Sequence, residues 1–381
     1  MVGGGPGAFI GAVHRRAAAL DSTMHLVAGA FARDADRSRA HGATLGLDPD
    51  RVYGSWEEML ERELARPASE RTTCVSIVTP NATHYPIARA FLDAGFHVIC
   101  DKPMTTTLED AEDLCRRVAE TQAVFAVTYN YSGYPMVKQA RAMVEAGHLG
   151  VIRKVLVEYA QGWLATRLEA TGQKQAAWRA DPAQAGLSAA LADIGSHAEH
   201  LVRYITGLET EALCADVSTL VEGRTLEDDA NVLIHFRGGA RGVLIASQIS
   251  VGEANNLAVR IYGTDAGLEW RQERPDRLVV RYRDRPLEVL TRGSPWLSEA
   301  ARHHTRLPPG HPEGFLEAFA NCYVNAGRTM VHRAGGTAPH PFDLDFPDVR
   351  DGAIGVNFIH RALESGRRRA WVDADYRPPG A

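Results

Sequence analysis

Short, almost wholly apolar runs separated by amphipathic stretches open the chain. His25–Phe31, Cys74–Val78, Phe96–Cys100 and Val124–Thr128 read as strands, and Ala12–Ala19, Trp56–Leu64, Tyr85–Ala94 and Leu108–Thr121 as the helices that accompany them. Strands apolar on both faces, alternating with helices, predict a parallel sheet covered on both sides. Gly95 stands where the Tyr85 helix needs a left-handed C-terminal residue.

From about Val151 the pattern changes. Val151–Ala160, Ala212–Val221, Asn231–Phe236, Gly242–Ser250, Leu257–Gly263 and Arg277–Tyr282 follow one another with few helices between them. Leu257, Val259 and Ile261 alternate with Ala258, Arg260 and Tyr262, the period of a sheet with two different faces. Gly263–Gly267 is a turn between two such strands, so a largely antiparallel sheet is expected. Helical periods return near Glu313–Asn325 and Asp351–Gly366, after an aperiodic covering loop over Thr291–His311.

Composition narrows the class. A chain of 381 residues exceeds one small core, and two domains are expected. A net charge of -5 offers no basic face for nucleic acid and no polybasic membrane anchor. The opening residues lack the basic and apolar regions of a signal peptide, and no apolar run approaches the roughly 20 residues that span a bilayer. The five cysteines are scattered without a C-x-x-C pair, as expected of small buried hydrophobes in a cytoplasmic protein. His197 and His200 do not make an H-E-x-x-H motif, and His303, His304 and His311 lack accompanying carboxylates, so no metal is expected.

The chain begins MVGGGPGAFIGAVH. Gly3-x-Gly5, an insertion Pro6-Gly7-Ala8, then Phe9, Ile10 and Gly11 can form a phosphate-binding turn opening a helix. The spacing alone also fits a floppy terminus; the sheet pattern that follows selects the dinucleotide reading. Only Met1-Val2 precedes the glycines, against about five residues in an ordinary strand. Where the second strand ends, an acidic residue would hold the ribose of NAD and an arginine the 2′-phosphate of NADP. Ala32 and Arg33 stand there, which favours NADP(H), while Asp34 keeps NAD open or caps the next helix.

Three further motifs extend the picture: Thr79-Pro80-Asn81-Ala82-Thr83-His84, Asp101-Lys102-Pro103 and Asp193-Ile194-Gly195-Ser196-His197. With the glycine run they resemble the Gfo/Idh/MocA family of sugar and cyclitol oxidoreductases, whose corresponding signatures are T-P-N-x-x-H, E-K-P and D-I-G-x-H. The resemblance spans essentially the whole chain. It implies a Rossmann-type doubly wound parallel sheet over residues 1–130, and a C-terminal α/β domain with an open, mostly antiparallel sheet over 131–381, which binds substrate and forms a homodimer or homotetramer. It also implies that Thr79, Pro80, Asn81, His84, Asp101 and Lys102 contact the cofactor. Asn130, at the end of the nucleotide domain, either bridges cofactor and substrate domains or is simply a polar residue at the domain junction.

Oxidising a secondary alcohol moves a hydride to nicotinamide while a group poised near neutrality takes the hydroxyl proton. His197 has an unperturbed pKa of about 6.5, and Asp193, four residues earlier on a helix, can orient it. Lys102 at a strand end can hold the hydroxyl and stabilise the alkoxide; whether it or His197 takes the proton stays open. Tyr159, Gln161, Trp163, Trp178 and His311 are candidate sugar contacts, though tryptophans also simply pack. The expected activity is an NAD(P)-dependent dehydrogenase acting on a sugar, sugar derivative or cyclitol. An NAD-dependent glycoside hydrolase on the same scaffold and a non-catalytic sensor are the alternatives.

Overall fold

A computed structural model describes residues 1–380, which divide into two compact units. The first runs from Met1 to Thr128 and takes in Phe319–Ala353 and a short stretch from Pro378. Its elements are β1 (Val2–Gly3), α1 (Phe9–Ala19), α2 (Ala35–Thr44), α3 (Trp56–Leu64), β2 (Cys74–Val78), α4 (His84–Asp93), β3 (His97–Cys100), α5 (Leu108–Thr121) and β4 (Phe125–Val127). The strands form a parallel sheet in the order β1-β2-β3-β4, with Val2 opposite Ile77, Val75 opposite Val98, and Ile99 opposite Ala126.

The strand expected over His25–Phe31 is reduced to single bridges, Ala30 beside Val2 and Gly29 beside Val52. A strand extends only as far as its partner does. β1 stops where Gly3 turns left-handed at φ 86°, so Ala30 exchanges hydrogen bonds only with Met1 and Gly3. Helix α1 starts three residues earlier than its apolar period indicates, directly from the glycine turn.

The second unit comprises Tyr129–Ala318 and Ile354–Arg377. After α6 (Pro135–Glu145) come β5 (Lys154–Ala160), α7 (Lys174–Arg179), α8 (Pro182–Ala185) and α9 (Ser196–Thr206). Then follow β6 (Thr210–Ser218), β7 (Asp229–Phe236), β8 (Arg241–Ser247), β9 (Asn256–Tyr262), β10 (Ala266–Arg271), β11 (Arg277–Tyr282) and β12 (Glu288–Thr291). The chain closes with α10 (Glu299–His303), α11 (Phe315–Ala334), α12 (Val349–Arg368) and β13 (Val372–Asp373).

The nine strands lie in the order β12-β11-β10-β9-β5-β8-β7-β6-β13. Every pairing is antiparallel except β5 with β8. One face is the core: Val155, Val157 and Tyr159 of β5 and Val259 and Ile261 of β9 share a cluster with Val137 of α6 and Leu201 and Ile205 of α9. The other face leaves Leu233 and Val289 exposed.

The Thr291–His311 segment departs from the expected aperiodic loop. It is not structureless, because α10 lies inside it and Arg292 ties it down. This buried guanidinium donates to Asp276 at 2.6 Å, to the Leu307 carbonyl and Glu313 carboxylate at 2.8 Å each, and to the His311 carbonyl. Glu313 in turn accepts from the Arg306 and Leu307 amides, and α11 begins two residues beyond it.

Candidate active site

In the first unit the glycine turn leads into α1 with no side-chain cap at Ala8, so the first helical N–H groups of Phe9, Ile10 and Gly11 are left for a ligand. Gly11 is obligatory here: a Cβ at this position would collide with the Gly4 Cα. Gly5 is buried on the same turn under the Phe31 carbonyl, and Arg15 Nη1 braces the turn through the Gly4 carbonyl at 2.9 Å. Phe9 projects outward, 65 % exposed. A tight backbone cradle ending in uncapped amides fits the pyrophosphate of a dinucleotide. Where the ribose is expected, Arg33 is exposed, while Asp34 is occupied as the N-cap of α2, accepting from the Arg37 amide at 2.8 Å.

The next two motifs sit at the C-terminal ends of β2 and β3, where open parallel sheets hold ligands. Thr79 accepts from the Thr83 hydroxyl at 2.8 Å, and Asn81 opens a short helical turn after Pro80. His84 is buried with Nε2 at 2.8 Å from the Thr79 carbonyl and Nδ1 at 2.9 Å from the Pro103 carbonyl, so one ring ties the two motifs together. Burial lowers its pKa, against the pull of Asp101 and of those carbonyls. The Lys102–Pro103 peptide is cis, and Asp101 accepts from the Lys102 amide at 3.0 Å and from the Thr128 hydroxyl at 2.8 Å.

In the second unit Asp193 lies in a single π-helical turn, Leu191–Gly195, that passes directly into α9, the helix carrying His197. Its Oδ2 accepts from Arg179 Nε at 3.1 Å and from Gln248 Nε2 at 2.8 Å. His197 is 7 % exposed, and its ring meets Tyr131 edge-on at 4.7 Å and Tyr129 at 5.6 Å, with Tyr159 at 6.4 Å.

Tyr159 donates to Asn255 Oδ1 at 2.7 Å, Gln161 Nε2 donates to the same oxygen at 2.7 Å, and Trp163 Nε1 donates to Gln161 Oε1 at 3.0 Å. Asn255 Nδ2 reaches the Tyr131 hydroxyl at 3.4 Å, and the Tyr131 and Tyr159 hydroxyls lie 2.5 Å apart. Burial pushes both phenols up, so each keeps its proton. Trp178 lies against the Arg179 guanidinium. The structure thus gathers Tyr159, Gln161, Trp163, Trp178, Asp193 and His197 into one neighbourhood. His311, on an exposed turn, is held through its backbone, its amide donating to the Pro308 carbonyl at 3.3 Å and its carbonyl accepting from Arg292. Asn130 is buried, and its Nδ2 meets no acceptor among the described residues.

Sequence reasoning missed Tyr131, Arg179, Gln248 and Asn255. Tyr131 directly follows the singled-out Asn130, and Arg179 follows Trp178. Gln248 continues the buried phase of Gly242, Leu244 and Ala246, but both phases of β8 are apolar and the polar intruder carries no periodic signal. Among the described residues no group of His, Cys, Asp and Glu side chains could hold a metal ion, and no helix is long and apolar enough to cross a membrane.

Residues 1–129 match the model of the oxidoreductase family with an NAD-binding Rossmann fold, and residues 137–269 match the GFO/IDH/MocA C-terminal domain. An uncharacterized oxidoreductase of Bacillus subtilis is 35 % identical over 380 residues, covering 98 % of this chain and 95 % of the relative. The levoglucosan dehydrogenase of Pseudarthrobacter phenanthrenivorans is 31 % identical over 335 residues, 78 % of this chain and 79 % of that protein. Among solved structures, an inositol dehydrogenase homolog from Azotobacter vinelandii complexed with NAD+ superposes with a TM-score of 0.93 at 38 % identity, covering 98 % of this chain and 96 % of the other. Its complex with NADH and myo-inositol gives a TM-score of 0.90 at 37 % identity over the same shares of each chain. With both halves matched in order and a relative aligned along almost its full length, the chain belongs to the Gfo/Idh/MocA family of oxidoreductases.

Proposed function

We propose that this enzyme interconverts a secondary alcohol and a ketone on a cyclitol or sugar ring, with NAD(P) as the hydride partner and NADP(H) favoured. The glycine turn, the amides opening α1 and the β2 and β3 ends carrying Thr79, Pro80, Asn81 and His84 hold the nucleotide; Asn130 offers its buried amide as a further donor. When bound, the nicotinamide supplies the hydride acceptor. Lys102 Nζ holds the substrate hydroxyl and stabilises the developing alkoxide. His197 takes the hydroxyl proton, and Asp193 positions that helix end and balances charge. Tyr159, Gln161, Trp163 and Trp178 face the ring hydroxyls, with His311 a further contact.

The observation that carries this reading is the His197 neighbourhood, a set of buried phenols with partly buried amides and indoles presenting donors and acceptors, and one internally balanced ion pair. Such a surface suits a neutral polyhydroxylated ring. Exposed Leu233 and Val289 on the open sheet face support a homodimer or homotetramer. All five cysteines are free thiols, which suits a reducing, cytoplasmic site of action.

The test is a panel of inositols and sugars assayed with NAD and NADP. Turnover is expected with at least one neutral ring alcohol. Lys102→Ala and His197→Ala should abolish it while retaining nucleotide binding, and activity persisting in both would overturn the assigned roles.

A further inference from the structure

Beneath the glycine turn lies a buried polar chain that the proposed chemistry does not use. His14, on α1, has no exposed surface, and its ring sits edge-on to Phe319 at 4.7 Å and Tyr323 at 5.7 Å. Its Nδ1 is 2.7 Å from the Tyr323 hydroxyl and 3.4 Å from Ser76 Oγ, and those two hydroxyls are 2.9 Å apart. Its Nε2 faces Asp101 Oδ1 at 3.9 Å, longer than a hydrogen bond. The same Oδ1 accepts from the Lys102 amide and the Thr128 hydroxyl.

Direction along this chain follows from the chemistry. Burial pushes the Tyr323 phenol up, so it keeps its proton and can donate to Nδ1. With Nδ1 accepting, Nε2 carries the ring hydrogen and presents it to Asp101. Burial works to raise the Asp101 pKa, but His14, Lys102 and His84 together hold it well below the usual carboxylate range. The titratable groups facing it are His14 on α1, His84 on α4 and Lys102 beside it. A histidine sealed from water at this interface costs desolvation that a leucine would avoid. Its position is explained if it steadies the carboxylate from which Lys102 hangs.

We propose that His14 is a positioning residue for the reaction, acting through Asp101 on Lys102, with its tautomer set by Tyr323 and Ser76. This rests on the role given to Lys102 above. It makes α1, the helix that receives the pyrophosphate, also the helix that fixes the amine.

The test uses the intact enzyme and separates turnover from nucleotide binding. His14→Leu is expected to lower kcat by about tenfold or more, as a displaced reacting group does. NADH affinity, read by fluorescence titration, should change by less than about threefold, because no phosphate contact is touched. His14→Gln, whose amide nitrogen can take the place of Nε2, should recover much of the loss. Tyr323→Phe should cost turnover in the parent enzyme and nothing further in the His14→Leu background. The proposal is overturned if His14→Leu keeps full turnover, if its defect lies only in NADH affinity, if Gln fails to recover it, or if Tyr323→Phe costs the same in both backgrounds. Should His14→Leu not fold, the Tyr323→Phe and His14→Gln cycle decides between the same outcomes through its non-additivity. Lys102→Met is the control: if it remains active, the role of Lys102 falls and the proposal with it, whereas an inactive Lys102→Met beside a fully active His14→Leu sinks the proposal alone.

Discussion

Arg179 and Asp193 form an ion pair at 3.1 Å, and the guanidinium carbon of Arg179 lies 4.3 Å from the centre of the Trp178 ring. The pair cancels its own charge, and the surrounding Gln161, Gln248, Asn255, Tyr131 and Tyr159 are neutral. An anionic sugar would find no spare cation among these groups. Neutral cyclitols or pyranoses should therefore exceed their phosphorylated or carboxylated counterparts in kcat/KM by about a hundredfold, roughly 2.7 kcal/mol of discrimination. Steady-state rates on matched pairs, such as glucose against glucuronate and glucose 6-phosphate, check this; a preferred anionic substrate would refute it.

The contact between Gly11 and Gly4 gives a second prediction. A methyl at Gly11 has to push the turn off the helix, and overpacking of this kind costs about 1–3 kcal/mol. Gly11→Ala should weaken NADH binding by about tenfold or more, measured by fluorescence titration, because the displaced amides are those offered to the phosphates.

Under the proposed reading nucleotide preference turns on Arg33, since Asp34 already caps α2. Arg33→Asp should shift the ratio of kcat/KM for NADP over NAD toward NAD by about tenfold, the loss of a charged phosphate contact. Asp34→Ala should leave that ratio in place and lower stability by about 1 kcal/mol, the usual cost of losing an N-cap, read from a denaturant midpoint.

Acid stability should depend on Glu63. Its fully buried carboxylate is held by Arg51 at 2.7 Å, the Tyr53 hydroxyl at 2.7 Å and the Thr72 amide at 2.9 Å. Burial raises its pKa, yet Arg51, the Thr72 amide and Tyr53 outweigh it and the net shift is downward. A depressed folded value means stabilisation that is complete above the unfolded carboxylate pKa, about 4.3, and lost as pH falls through the folded value. Glu63→Gln should cost about 3 kcal/mol at neutral pH, and its deficit should shrink below about pH 4. Thermal unfolding at a series of pH values reads both.

Much of this architecture was legible because its signals are local. β2 lies where its apolar run predicts, and β3, β4, β9 and β11 differ by at most a residue or two at their ends. The candidate residues at strand ends and at the start of α9 stand out through short motifs. Three kinds of feature escaped. The residues 25–31 strand shrank because its length depends on a partner that ends at Gly3, a relation no local period records. α6 is buried on nearly every side, including Lys138 and Gln139, so its amphipathic stripe is blurred. Asn255 and Gln248 are single polar residues made important by what folds against them from distant parts of the chain.

The first unit is not a contiguous cassette. Its outer strand β4 is met by Pro347 and Asp348, with the Val127 amide donating to the Pro347 carbonyl at 2.8 Å, and its interior is plugged by Tyr323. A fragment cut after residue 129 would lack these groups and expose a raw sheet edge. Swapping nucleotide modules between relatives therefore takes a graft with two junctions, and a chimera joined at one seam should be recovered from inclusion bodies rather than as a working hybrid.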